Sequence, residues 1–148
     1  METLYQLWKY NNWANQRLFD TFSKYGDAMP ASCKRLLNHI MNTQSVWQTR
    51  LTGEKQAVGV WQEMSLEECK SLHEQASAGL KSVLDKNAGD LSVKIDYVNT
   101  AGNHYRNSIH EIALHMLNHG TYHRAQIALE MRKNCLEPVI TDYIVFVR

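Results

Sequence analysis

Proline is nearly absent. Only Pro30 and Pro138 occur in 148 residues, and both stand where helices should start or stop. Cysteine is scarce: Cys33, Cys69 and Cys135 are far apart, odd in number and form no CxxC pair. A disulfide framework is excluded, a reducing compartment is expected, and each thiol reads as an inert core residue. No stretch approaches the roughly 20 apolar residues of a membrane span, and the N-terminus "METLYQLWKYNNWANQR" has no apolar core of a signal peptide. These absences point to the cytoplasm. Concentrated charge is missing too. The net charge is +1 with no long basic run, which argues against nucleic acid or an anionic membrane as partner.

What remains is one domain's length of chain with ordinary apolar content. Repeats, low-complexity segments and dividing linkers are not found. Helical spacing of Leu4, Leu7, Trp8, Leu18 and Phe22 predicts a first helix over about 3–24, with Asn11 and Asn15 on the same stripe. A buried amide needs partners, so these two order the helix packing or reach into a polar pocket. A second helix is expected from Ser32, as N-cap, to about Leu51, with Gly53 as its stop. Leu36, Ile40, Thr43 and Trp47 form its inward face, with His39 beside it. "SLEE" at 65–68 has capping-box spacing and opens a third helix to about Lys86. "LSVKIDYV", a turn and "NHYRN" read as a small hairpin. "SIHE" at 108–111 is a second capping box, opening the longest helix, 109–133. The apolar tail "VITDYIVFVR" should pack back on the helices. Four such helices with short connections predict an all-α four-helix bundle, with a small β-hairpin before the last long helix.

Seven histidines are the chemistry-bearing feature. His115, His119 and His123 stand four apart, and residues i and i+4 share a helix face. His115 and His123 are about 12 Å apart along the axis, at about 1.5 Å per residue. Metal–nitrogen bonds are only about 2 Å long. The helix should therefore give one ion two ligands, His115/His119 or His119/His123, and another helix the third. His39 is the candidate, because an unpartnered imidazole beside an apolar face is penalised. Gly120 leans the choice toward His119/His123. A glycine inside a strong helix costs about 1 kcal/mol and implies a need for space. His73 in "KSLHEQ" reads as solvated, His104 lies in the hairpin, and His110 is at a helix N-terminus. "HEIALH" is not the zincin motif, since its histidines are five apart and H-E-x-x-H requires four.

"NNWANQRLF", "LLNHIMNTQSVWQTRLTG" and "LHMLNHGTYHRAQIALEMRKN" followed by "PVITDYIVFVR" resemble, in order and over nearly the whole chain, the DinB/YfiT-like superfamily. The resemblance implies an up-down-down-up four-helix bundle. It implies a divalent ion, nickel or zinc, on three histidines, which here are His39, His119 and His123. His115 then becomes a packing or supporting residue. Relatives of this kind include thiol-dependent transferases and isomerases, so a low-molecular-weight thiol is a further expected cofactor and a small molecule the expected substrate. A homodimer is also implied.

Asn11, Asn15 and Tyr122 are candidates for polar contacts near the pocket, and Arg124 for a carboxylate of substrate or cofactor, which its fork suits. Asp142 is a candidate to orient a histidine, as metal-bound imidazoles require. No catalytic acid or base identifies itself beside the triad. Two functions fit: a metal-dependent thiol transferase or hydrolase, and a metal-binding, stress-related dimeric interaction protein without turnover.

Overall fold

A computed structural model describes residues 1–148. Four long helices dominate: α1 (Glu2–Tyr25), α2 (Ala31–Thr52), α3 (Leu66–Lys86) and α4 (Ile109–Lys133). A hairpin of β1 (Lys94–Val98) and β2 (His104–Ser108) precedes α4, and a single turn, α5 (Tyr143–Phe146), ends the chain. No helix is long and apolar enough to cross a membrane.

Local signals set most boundaries. Ser65 and Ser108 each form a capping box with the glutamate three residues on. The two orphan donors of each box are thereby satisfied. Gly53 ends α2 in the left-handed conformation, φ 75°, which glycine adopts without penalty. The start of α2 differs from the expectation. Pro30 occupies the N-cap with no side-chain cap, and the Ser32 hydroxyl donates instead to Glu130 Oε2 at 3.0 Å. Proline's fixed φ sets the entry, so a capping hydroxyl is not required. The strands pair antiparallel with Tyr97 opposite Tyr105.

Side-chain contacts give the helix directions. Ser32 meets Glu130, His39 meets His123 and Trp47 meets His115, so α2 and α4 run antiparallel. Tyr5 meets Asp85 and Asn15 meets His73, so α1 and α3 are antiparallel. Asn38 meets Cys69 and Gln44 meets His73, so α2 and α3 are parallel.

The interior has two apolar clusters of 11 buried residues each, one around Leu4, Leu80 and Ile112, the other around Phe19, Ile40 and Ile127. A polar layer lies between them. Arg124 is 1 % exposed and donates from Nη1 to Asn11 Oδ1 and Asn15 Oδ1, both at 3.0 Å, and from Nη2 to Thr121 Oγ1 at 2.9 Å. Asn15 and Gln44 both reach His73 Nδ1, at 3.3 and 3.1 Å. His73 is therefore not solvated, as its polar neighbours suggest, but buried. Burial pushes its pKa down to about 4, helped by the Arg124 charge.

Gly120 has a structural reason here. A Cβ would stand 2.8 Å from Arg124 Nη1 and 3.1 Å from Asn11 Oδ1, so the missing side chain makes room for the polar layer. Cys33 and Cys69 are buried, and burial raises the Cys69 thiol to about 12. Cys135 is exposed, against the expectation of a core thiol, because it follows the end of α4 with φ 57°. The tail packs on α1 through Tyr143 and Phe146 against Tyr10. It leaves Ile140, Ile144 and Val147 half-exposed.

Candidate metal centre

Antiparallel packing of α2 on α4 brings His39 to His119 and His123. Their rings lie with centroids 5.1 Å apart for His39–His119, 4.6 Å for His39–His123 and 4.4 Å for His119–His123. One potential ligand atom from each lies within 4.8 Å of the other two. His39 and His123 are buried and His119 partly so.

Each imidazole uses Nδ1 to hold itself in place. His39 Nδ1 meets the Val60 carbonyl at 2.9 Å. A carbonyl only accepts, so His39 donates from Nδ1. His119 Nδ1 meets Thr43 Oγ1 at 3.2 Å. That hydroxyl already gives its proton to backbone carbonyls of its own helix, His39 O at 2.7 Å and Ile40 O at 3.1 Å, so it accepts from His119. His123 Nδ1 meets Gln126 Oε1 at 2.7 Å. In all three rings the proton sits on Nδ1 and the lone pair on Nε2.

The Nε2 atoms of His119 and His123 are 3.1 Å apart. Two nitrogens on one tetrahedral ion, each about 2.05 Å from it, stand about 3.3 Å apart. The donor set therefore fits a divalent ion: Nδ1 engaged in each ring, one ligand nitrogen of each within 4.8 Å of the others, and the His119 and His123 lone pairs close together. Burial, with the neighbouring His123, His39 and His115 charges, pushes the His119 pKa down to about 3. Burial is also the main cause that lowers His39. His119 and His39 thus resist protonation, and metal ligands must be unprotonated.

The other sequence candidates divide. Tyr122 is 63 % exposed and sets its ring edge-on to His123 at 5.0 Å, at the rim of the cluster. His115 faces solvent and Trp47, with centroids 4.8 Å apart, one turn beyond His119. Asn11, Asn15 and Arg124 lie in the buried polar layer and bond to one another. Asp142 is the N-cap residue of α5, in a cleft shared with Tyr10, Thr121 and Arg124. None of the three histidine Nδ1 atoms bonds to it. The orienting partners are Val60, Thr43 and Gln126. Gln126 is signalled by its i+3 spacing from His123, whereas a loop carbonyl such as Val60 has no sequence signature.

Trp61, which from the sequence suits a dimer interface or the core, stands instead at the histidine cluster. Its indole lies flat on His39, centroids 3.8 Å apart and planes 11° apart, and the Arg35 guanidinium stands over it at 4.8 Å. An open groove of about 810 Å³ is lined by Leu36, Leu129, Arg35 and Glu130 together with Trp61 and Gln126, the two of its residues that touch the histidine cluster.

The chain is 23% identical over 155 residues to Protein DinB of Bacillus subtilis (strain 168), covering 94% of this chain and 90% of that protein. All of residues 1–148 match the description of the DinB family, and the chain belongs to that family.

Proposed function

We propose that the chain is a metal-dependent enzyme of small-molecule thiol chemistry, a transferase on an up-down-down-up four-helix bundle. The observation that carries this reading is the set of three imidazoles whose Nδ1 atoms are engaged and which each bring one ligand nitrogen within 4.8 Å of the other two, with Nε2 of His119 and of His123 3.1 Å apart. A divalent ion, nickel or zinc, held by His39, His119 and His123 would act as a Lewis acid and lower the pKa of a thiol at its open position. Val60, Thr43 and Gln126 keep the ring protons on Nδ1 and aim the rings. Trp61 and Tyr122 shape the rim. The groove beside them, walled by Leu36, Trp61 and Leu129 with Arg35 and Glu130 at its edge, is the seat assigned to the substrate. Apolar walls with a few polar groups suit a small organic electrophile.

Metal content of purified protein tests the ligand set. About one equivalent is expected in the wild type and in His115→Ala, with loss in His39→Ala, His119→Ala and His123→Ala. Unchanged stoichiometric metal in the last three variants would sink it. Consumption of a low-molecular-weight thiol with an electrophilic dye, before and after chelation, then tests turnover.

The half-exposed Ile140, Tyr143, Ile144 and Val147 favour a second reading, a metal-binding interaction protein that works as a homodimer without turnover. It gives metal binding, a dimer on gel filtration and no metal-dependent thiol consumption.

A further inference from the structure

The connection from α2 to α3, residues 53–65, turns back across α2 beside the histidine cluster. It touches α2 at three points in succession. The Val60 carbonyl accepts from His39 Nδ1 at 2.9 Å. The Trp61 indole covers the His39 ring, with the Arg35 guanidinium over the same indole. The Gln62 carbonyl accepts from Asn42 Nδ2 at 2.8 Å.

Asn42 is unusual among these. Its side chain is fully buried, and its Oδ1 has no hydrogen-bond partner. An orphaned buried acceptor is destabilising, and an apolar residue of similar size would avoid it. The bond from Nδ2 to Gln62 is the one side-chain hydrogen bond that Asn42 makes. Asn42 therefore tethers the crossing at a penalty to the fold, one turn from His39 along α2.

We propose that the crossing at residues 58–62 is the positioning element of the histidine cluster. Asn42 anchors it, Val60 holds His39 in the Nδ1–H tautomer, and Trp61 fixes the plane of the ring. Cation binding and the seating of this segment are therefore coupled. The proposal rests on the metal reading above. A cation on Nε2 makes Nδ1–H a better donor, which tightens the bond to Val60. By linkage, loosening the segment weakens the cation by the same factor. Trp61 and Asn42 touch no substrate here; they act through His39.

The test uses the full chain with Asn42→Ala, Trp61→Ala and Trp61→Phe. Co²⁺ affinity is read by competition with a chromophoric chelator, and the imidazole ¹⁵N shifts of His39 in the metal-free protein report its tautomer. Asn42→Ala and Trp61→Ala should weaken Co²⁺ about tenfold or more, as loss of supporting contacts to a metal ligand does. Both should give His39 mixed tautomers and leave the His119 and His123 shifts in place, and Trp61→Phe should restore both readings. Wild-type Co²⁺ affinity in Asn42→Ala and Trp61→Ala would overturn the proposal. So would equal disturbance of all three histidines, which marks general loosening. A wild-type protein that takes up no Co²⁺ removes the metal reading and the coupling with it. A His39 tautomer that still changes alone in the variants would then keep the positioning role.

Discussion

His119 and His123 point their Nε2 atoms at each other across 3.1 Å, and each ring's proton is committed to Thr43 or Gln126 on the other side. Two lone pairs at that distance repel unless a cation or a proton stands between them. Burial disfavours the proton at His119. A divalent cation should therefore stabilise the folded protein. At a free concentration 100 times Kd the linkage amounts to about 2.7 kcal/mol. For a chain of this length that is a rise in Tm of roughly 5–10 °C. Thermal unfolding with and without Zn²⁺ measures it. Because the 11 buried residues of each apolar cluster hold the helices together independently of any ion, the chelated protein should keep its helical circular dichroism. Loss of helix on chelation would instead make the ion structural.

His73 should give the fold a pH dependence of its own. Its pKa is about 4 in the folded chain against 6.5 as the ordinary value. Between these the unfolded chain binds the proton and the folded chain does not. Stability is complete above about pH 6.5 and falls as pH drops toward 4, by about 3 kcal/mol from this group. His73→Gln keeps an amide in the polar layer and removes the titration. Urea unfolding at pH 7 and pH 4 should show a smaller loss for that variant than for the wild type. Equal losses would refute the assignment.

Gly120→Ala should destabilise despite the better helix propensity of alanine. Propensity favours the variant by about 1 kcal/mol. The new methyl would meet Arg124 Nη1 at 2.8 Å and Asn11 Oδ1 at 3.1 Å, and Arg124 is held by three hydrogen bonds. Overpacking of this kind costs about 1–3 kcal/mol, so a net loss of about 1 kcal/mol is expected. A denaturant midpoint at or above the wild-type value would show that Arg124 yields.

Arg124→Met should be the most damaging of these changes. It fills similar space but leaves Asn15 Oδ1 without a donor and Asn11 Oδ1 with Gln44 Nε2 alone, at 3.3 Å, a loss of about 3 kcal/mol. Replacing both asparagines by leucine as well should recover part of that loss, since their oxygens are then gone and Gln44 Nε2 is the donor left without its acceptor. Chemical unfolding of the single and triple variants gives the comparison.

Most helix ends were legible in the sequence because their causes are local, the start of α2 at Pro30 being the exception. Ser65 with Glu68, Ser108 with Glu111, and Gly53 all act within one turn. The grouping of His39 with His119 and His123 was legible in part. Spacing alone left His115/His119 in contention, and the family resemblance separated the pairs. His73 was misread because its sequence neighbours are polar, although helical geometry turns it inward while they turn out. The supporting contacts were least legible. Thr43, Val60, Trp61 and Gln126 come from three segments, and only packing of α2 on α4 and the fold-back of residues 53–65 bring them to the imidazoles.

The polar layer between the two apolar clusters also acts as an alignment key. If α4 slid one turn along its neighbours, about 5.4 Å, the Arg124 guanidinium would leave Asn11 and Asn15 and enter an apolar cluster. Purely greasy helices tolerate such a slip far better. The same slip would carry His123 past His39. A charge that touches none of the three imidazoles thus decides which residues of α4 can stand opposite α2.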